Sequence, residues 1–152
     1  MNTTFEYVAV LVCAWFIIVL CVTVHYEALR VLGRTVGTHI HRRIGILLVM
    51  LGLLIAHMIE IWIFALGYRI AAETTVGFGH ILGVDNPSLF DYMYLSSMVY
   101  TTVGFGDVVP VGAVRMLAAA EALTGLSLIT WSASYTFLAM ERFWPAPLSG
   151  DN

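Results

Sequence analysis

The chain has 152 residues, of which 60% are apolar and 11% charged, with a net charge of −3. A soluble domain of this length carries about a quarter charged residues, so a water-facing surface all round is excluded. The charge is too small to point to nucleic acid, and the length allows one domain. The two cysteines, Cys13 and Cys21, fall on one predicted helix about 12 Å apart along its axis, too far for a bridge within the chain. They read as small apolar fillers.

Tyr7 to Val24 is an apolar run without a charged residue, long enough to cross a membrane. A cleaved leader would want a basic start and a small-x-small cleavage site. The start here, Met1-Asn2-Thr3-Thr4-Phe5-Glu6, has no basic residue, which favours a retained helix. Asn2-Thr3-Thr4 fits the glycosylation sequon, a short match close to the terminus. From His25 to Arg43 come Arg30, Arg34, Arg42 and Arg43, four of the seven basic residues. The positive-inside rule makes this loop cytoplasmic and puts the N-terminus outside. Residues 1–43 thus form a transmembrane helix with an arginine-containing loop.

The second span is expected over 44–66, travelling outward. His57 and Glu60 lie three apart on it and share a face. A carboxylate at that depth costs about 2.5–3.5 kcal/mol on insertion scales, so it needs a partner. One reading is a proton or ion relay, and the other is a polar pair that locks helices together. Residues 67–86 read as an outside turret, and they contain Thr74-Thr75-Val76-Gly77-Phe78-Gly79-His80. The same string, apart from its last residue, recurs at 101–107. The early copy has no short helix of its own before it, so it is assigned to the turret.

Asn86-Pro87 reads as an N-cap followed by a first helical residue. It predicts a helix over 87–100, about 21 Å long, too short to cross and suited to re-enter. Backbone that is not helical is tolerated at membrane depth only inside protein or beside a water-filled cavity. Thr101-Thr102-Val103-Gly104-Phe105-Gly106-Asp107 follows. Its two glycines, alternating with bulky residues, allow backbone of alternating hand, which can turn successive carbonyls the same way. The third span is expected over 112–140. Arg142, Phe143 and Trp144 mark its cytoplasmic end, with the aromatics suiting an interfacial belt, and 143–152 is a short tail. The fold class is therefore all-α integral membrane, with three transmembrane helices plus a re-entrant pore helix and an extended strand per subunit.

The segment from Thr102 to Gly106 resembles the TVGYG filter of the pore-loop potassium channels, with Phe105 in place of Tyr. The resemblance covers roughly residues 45–140, making 44–142 the pore domain. It implies K+ coordination by carbonyls of Thr102, Val103, Gly104 and Phe105, with the Thr102 hydroxyl at the inner end. Gly106 would permit the outer turn, and Asp107 would stand at the outer mouth, anchored to the pore helix. One loop per chain implies a homotetramer among membrane lipids. The orientation from the arginine loop, obtained without the filter string, brings Gly106-Asp107 to the outside as such a pore requires. The resemblance places the chain, multi-pass, in a plasma or bacterial inner membrane.

Two residues of the third span stand out. Gly125 matches the glycine that the family carries near the middle of its inner helix, either as a bend or as a site of close packing. Glu121, one turn earlier, either faces the cavity, where four copies would concentrate cations, or is a structural acid bonded to the pore helix through Ser96 or Ser97. Trp131 and Tyr135 read as packing residues. Met98 stands where many relatives have an acidic residue behind the filter. The first span lacks the arginine periodicity of a voltage sensor.

The expected function is passive, potassium-selective conduction, with no organic cofactor, no enzyme activity and a separate regulatory partner left open. The alternatives are a weakly selective cation channel and a non-conducting accessory subunit, or a proton-coupled transporter half, using His57, Glu60 and Glu121. A membrane enzyme or metal site is the rival from another class. His57 and Glu60 supply two of the four ligands zinc wants, and no Cys/His cluster appears in the sequence.

Overall fold

A computed structural model of the chain describes residues 3–36, 42–73 and 78–143. Three long helices dominate: α1 (Thr3–Val36), α2 (Arg42–Glu73) and α4 (Arg115–Phe143). All three are long and apolar enough to cross a membrane. A short helix, α3 (Leu89–Tyr100), and a two-stranded ribbon of β1 (Gly79–Leu82) and β2 (Val109–Gly112) complete the chain.

Helix α2 packs against α1, α3 and α4, and α1 also lies along α4. Small residues let these helices approach closely, as they must where lipid supplies no hydrophobic drive for association. Ala14 and Cys21 on α1 and Ala56 and Ala65 on α2 are buried for this reason. Phe64, Tyr68, Leu95, Tyr100 and Leu117 fill the space between α2, α3 and α4. At the outer edge of that contact the Trp62 and Phe90 rings meet edge to face, 6.2 Å apart. The outward faces of the long helices stay apolar and uncovered, including Phe16, Leu51, Leu123 and Phe137. Such exposure is unfavourable in water and natural in lipid or against further copies of the chain.

Helix α4 is the least apolar of the three and nevertheless suits a membrane. Its hydroxyls bond back to the preceding turn: Thr124 to the Ala120 carbonyl at 2.7 Å, Ser127 to Leu123 at 2.8 Å, Thr130 to Leu126 at 2.7 Å and Ser134 to Thr130 at 3.0 Å.

Several expected boundaries need correction. Helix α2 continues seven residues past the expected end at Leu66, to Glu73. The expected turret is therefore partly helical, and Arg69 and Glu73 pair across one turn at 3.0 Å. The helix expected from Pro87 begins at Leu89 with Ser88 as its N-cap. Asn86 sits in the left-handed region instead, at φ 52°, a conformation Asn accepts more readily than most residues. The Ser88 hydroxyl and backbone N–H both donate to Asp91, at 2.6 and 2.7 Å. These bonds hold the Asp91 carboxyl below its usual range. The expected third span starts at Arg115 and not at 112; Gly112 is the last residue of β2, where Gly79 pairs with Gly112 and Leu82 with Val109. Hairpin-like pairing between segments thirty residues apart leaves no periodicity that a local reading detects. Thr74 to Gly77 of the early string, the side chains of Arg42, Arg43, Arg142 and Phe143, and Asn2 and Trp144 lie outside the described residues.

Replacing Ser88 with Ala should lower stability by about 1 kcal/mol, the usual worth of an N-cap, read as a lower midpoint of denaturation in detergent. The part of the cap that rests on ionised Asp91 should persist at neutral pH. It should fade only as the pH falls below the ordinary carboxylate range, through the lowered value.

Candidate pore site

The residues after α3 form an extended segment with an unusual backbone. Thr102, Gly104 and Gly106 have φ of 59°, 52° and 80°, whereas Val103 and Phe105, between them, do not have positive φ. For Thr102 this is strained, since β-branched residues rarely enter that region. The segment is tied back to the helix it follows. The Thr102 N–H donates to the Val99 carbonyl at 3.0 Å, and the Gly104 N–H donates to Met98 at 3.1 Å. The Thr101 hydroxyl donates to Ser97 at 2.7 Å. At the far end the Tyr94 hydroxyl, one helix turn up from Met98, donates to Asp107 at 2.8 Å. That bond raises the Tyr94 phenol above its ordinary pKa.

All of Thr101 to Asp107 is exposed in one chain. Val103 is 53% and Phe105 72% accessible, large apolar side chains with no cover from their own subunit. A Cβ added at Gly104 or Gly106 would meet no atom within 4 Å, so only the positive φ opposes a side chain at these positions within a single subunit.

Beneath the segment two buried acids hold α3 in place. Glu121 on α4 takes one oxygen to the Ser96 hydroxyl and the other to the Tyr68 hydroxyl, both at 2.5 Å. It is fully buried, so within the chain it does not face open space, and the cavity-facing reading of Glu121 is corrected. Ser96 also lies 2.8 Å from the Ile61 carbonyl. Gly125, one turn on, leaves no room for a bend residue's usual freedom: a Cβ there would come within 2.2 Å of the Tyr100 carbonyl oxygen. Gly125 thus allows α4 to lie directly on the last residue of α3.

The second acid, Glu60, is fully buried. Its Oε1 lies 2.9 Å from His25 Nδ1, and its Oε2 lies 3.1 Å from His57 Nδ1. The Tyr100 hydroxyl bonds to the same Oε2 and lies 2.8 Å from His57 Nδ1. On the other side of the rings, the Ser132 hydroxyl lies 3.2 Å from His25 Nε2 and 3.0 Å from His57 Nε2. The imidazoles are 5.3 Å apart, and Trp131 borders His25 at 5.5 Å. The sequence reading found His57 and Glu60 and missed His25, Tyr100 and Ser132, which come from three other helices. Nothing in their spacing connects them. The donor atoms of His25, His57 and Glu60 all lie within 4.8 Å of one another.

A second feature was missed with less excuse. Ser127, Thr130 and Ser134 recur at helical spacing on α4, and all three are exposed. They form a hydroxyl stripe on a helix whose other exposed residues are mostly apolar.

Residues 82–142 match the family model described as an ion channel. The match takes in α3, the extended segment, β2 and nearly all of α4, and supports an ion-channel assignment for that part of the chain. Two curated proteins are similar over a shorter stretch. Protein LctB of Bacillus caldotenax is 54% identical over 37 residues, and Protein LctB of Geobacillus stearothermophilus is 57% identical over 37 residues. In each case the alignment covers 24% of this chain and 28% of the relative, so the chain aligns with under a third of their length. No solved structure matches the chain significantly. Together with three helices able to span a membrane, the family match makes this a membrane protein with an ion-channel segment.

Glu121→Leu should be costly, because it leaves the buried Tyr68 hydroxyl without its acceptor, at about 1–3 kcal/mol. Glu121→Gln, which keeps an acceptor oxygen, should lose less. Thermal unfolding of both variants in detergent orders them. A cavity-facing Glu121 would give two variants of near wild-type stability.

Proposed function

We propose that four copies of the chain surround an axis and form a potassium-selective channel, with residues 102–106 as its filter. The alternating backbone is the observation that carries this reading: positive φ at residues 102, 104 and 106 on a strand anchored to the end of a short helix. Such a strand can point successive carbonyls one way, and rings of carbonyls from four chains replace the hydration shell of K+. The C-terminal end of α3 would add its partial negative charge where the ion dehydrates.

Two further observations support assembly. Val103 and Phe105 are exposed apolar side chains beside a bare strand, a surface that neighbouring copies would cover. The stripe of Ser127, Thr130 and Ser134 suits the wall of a water-filled cavity below the filter. The arginine-containing loop gives the orientation, with α1 starting outside, the filter opening outward and α4 ending in the cytoplasm. Asp107, held by Tyr94, would stand at the outer mouth. The Glu60 and Glu121 clusters serve this reading as props for α3 rather than as ion ligands of the pore. The channel conducts passively.

The test is flux through purified protein in liposomes, with the reversal potential measured between K+ and Na+. Wild type should select K+. Gly104→Ala should abolish selectivity by straining the positive φ at that position, and since its Cβ meets no atom of its own chain, the fold of the subunit should survive, which circular dichroism of the purified variant checks. Flux that does not discriminate K+ from Na+ would establish the weakly selective cation channel instead. A folded tetramer without flux at any voltage would overturn conduction.

A further inference from the structure

The cluster around Glu60 contains a hydrogen deficit. With neutral imidazoles, His25, His57, Tyr100 and Ser132 each bring one polar side-chain hydrogen, and an ionised Glu60 brings none. The close contacts need more. One hydrogen must lie between His25 Nδ1 and Glu60 Oε1, 2.9 Å apart. Two must serve the triangle of His57 Nδ1, Glu60 Oε2 and Tyr100 Oη. Two more must lie between Ser132 Oγ and the two Nε2 atoms, at 3.2 and 3.0 Å. Five are required where four exist. The network is short of one positive charge, and among the described residues no arginine pairs with the carboxylate it encloses.

We propose that this cluster is a binding site for a divalent cation of the zinc class, held by His25 Nδ1, His57 Nδ1, the Glu60 carboxylate and Tyr100 Oη. Two nitrogens and two oxygens are the four donors that a tetrahedral ion accepts, and imidazole donors select the zinc class over Mg2+ or K+. An ion on the Nδ1 side removes the deficit. Each imidazole then carries its hydrogen on Nε2, and both donate to the two lone pairs of Ser132 Oγ. Metal-bound histidines are commonly held in this way, by an acceptor on the far ring nitrogen. That explains why two nitrogens from different helices face a single hydroxyl.

The geometry asks for little movement. Donors around an ion at 2.0–2.1 Å are roughly 3.3 Å apart in a tetrahedron. Here His25 Nδ1 and His57 Nδ1 lie 2.9 and 3.1 Å from the carboxylate oxygens, and His57 Nδ1 lies 2.8 Å from Tyr100 Oη. The ion enters as these donors spread, by a few tenths of an ångström at the histidine contacts and by more between the Tyr100 and Glu60 oxygens, whose hydrogen leaves. His57, at 15% side-chain exposure the least buried of the histidine-carboxylate trio, gives it a way in. The hydrogen between Tyr100 and Glu60 is released as the oxygens take up the metal, so that carboxylate and phenolate balance the two charges. The site joins α1, α2 and the end of α3, with Ser132 of α4 orienting the rings. It binds two residues before Thr102, and its occupancy would fix the foot of the extended segment to α1.

Titration of the full-length protein in detergent with Co2+, followed by competition with Zn2+, tests this without measuring flux, so its outcome is independent of potassium selectivity. Wild type should bind about one Co2+ per chain with the visible absorption of a tetrahedral nitrogen–oxygen site, and Zn2+ should displace it. His25→Gln and Glu60→Gln should remove that spectrum. Ser132→Ala, which leaves all four donors in place, should weaken binding roughly 10- to 100-fold, as loss of a ligand-orienting group does. A Cys13→Ser, Cys21→Ser double variant should bind like wild type. Folded wild type that binds no Co2+, with imidazole nitrogen NMR showing one imidazolium shared by His25 and His57, would overturn the proposal. The missing charge would then be a proton. Loss of binding in the cysteine variant, or unchanged binding in His25→Gln, would overturn it as well.

Discussion

A helix of twelve residues is too short to cross a membrane, and the arrangement of this chain turns on how α3 is held between the longer helices. Where its polar groups are buried, their partners must come from protein. They come as two buried carboxylates on either side of it. Glu121 takes the Ser96 hydroxyl in the middle of the helix, and Glu60 takes the Tyr100 hydroxyl at its end. Each acid is itself expensive to bury, and each recovers that cost through two or more short bonds. The helix thus gains its anchorage from groups that would be liabilities elsewhere in a membrane span.

The two anchors differ in what they connect. Glu121 joins α4 to α3 and α2 through Ser96 and Tyr68, a bond set internal to the unit of α2, α3 and α4. Glu60 reaches outside that unit, because His25 belongs to α1. Beside both, Gly125 brings α4 onto the Tyr100 carbonyl. Tyr100 is therefore gripped by side chain and backbone at once, and the extended segment starts from a fixed point. Its outer end is held by the Tyr94–Asp107 bond and continues into the β1–β2 ribbon. The strand is secured at both ends and exposed between them.

The sequence disclosed the long helices, the short one and the unusual string, because apolar length and a Gly-alternating motif are local signals. It located both intramembrane acids, because charge is conspicuous against an apolar background. It could not say what they touched. His25 and Ser132 are 107 residues apart, and neither looks exceptional on its own helix. Ser96 was named as one of two candidates for Glu121, while Tyr68, an aromatic in an apolar run, carried no signal. Boundaries failed where two cues competed: Asn-Pro suggested a helix start, but Ser88 with Asp91 three residues on was the better cap. The ribbon went unseen because its strands are separated by α3 and the extended segment, and pairing at that range leaves no pattern in either strand.

The position of His25 changes what α1 is. A span with no charge along its apolar run could pass for an appendage, a greasy leader stitched to a self-sufficient pore. Yet its one buried imidazole completes the coordination of an acid that belongs to the neighbouring helix, and the ring stacks beside Trp131 of the inner one. Without α1, Glu60 Oε1 would lose its His25 partner. The polar core of this chain draws on all four helices, and its first span is a keystone in it.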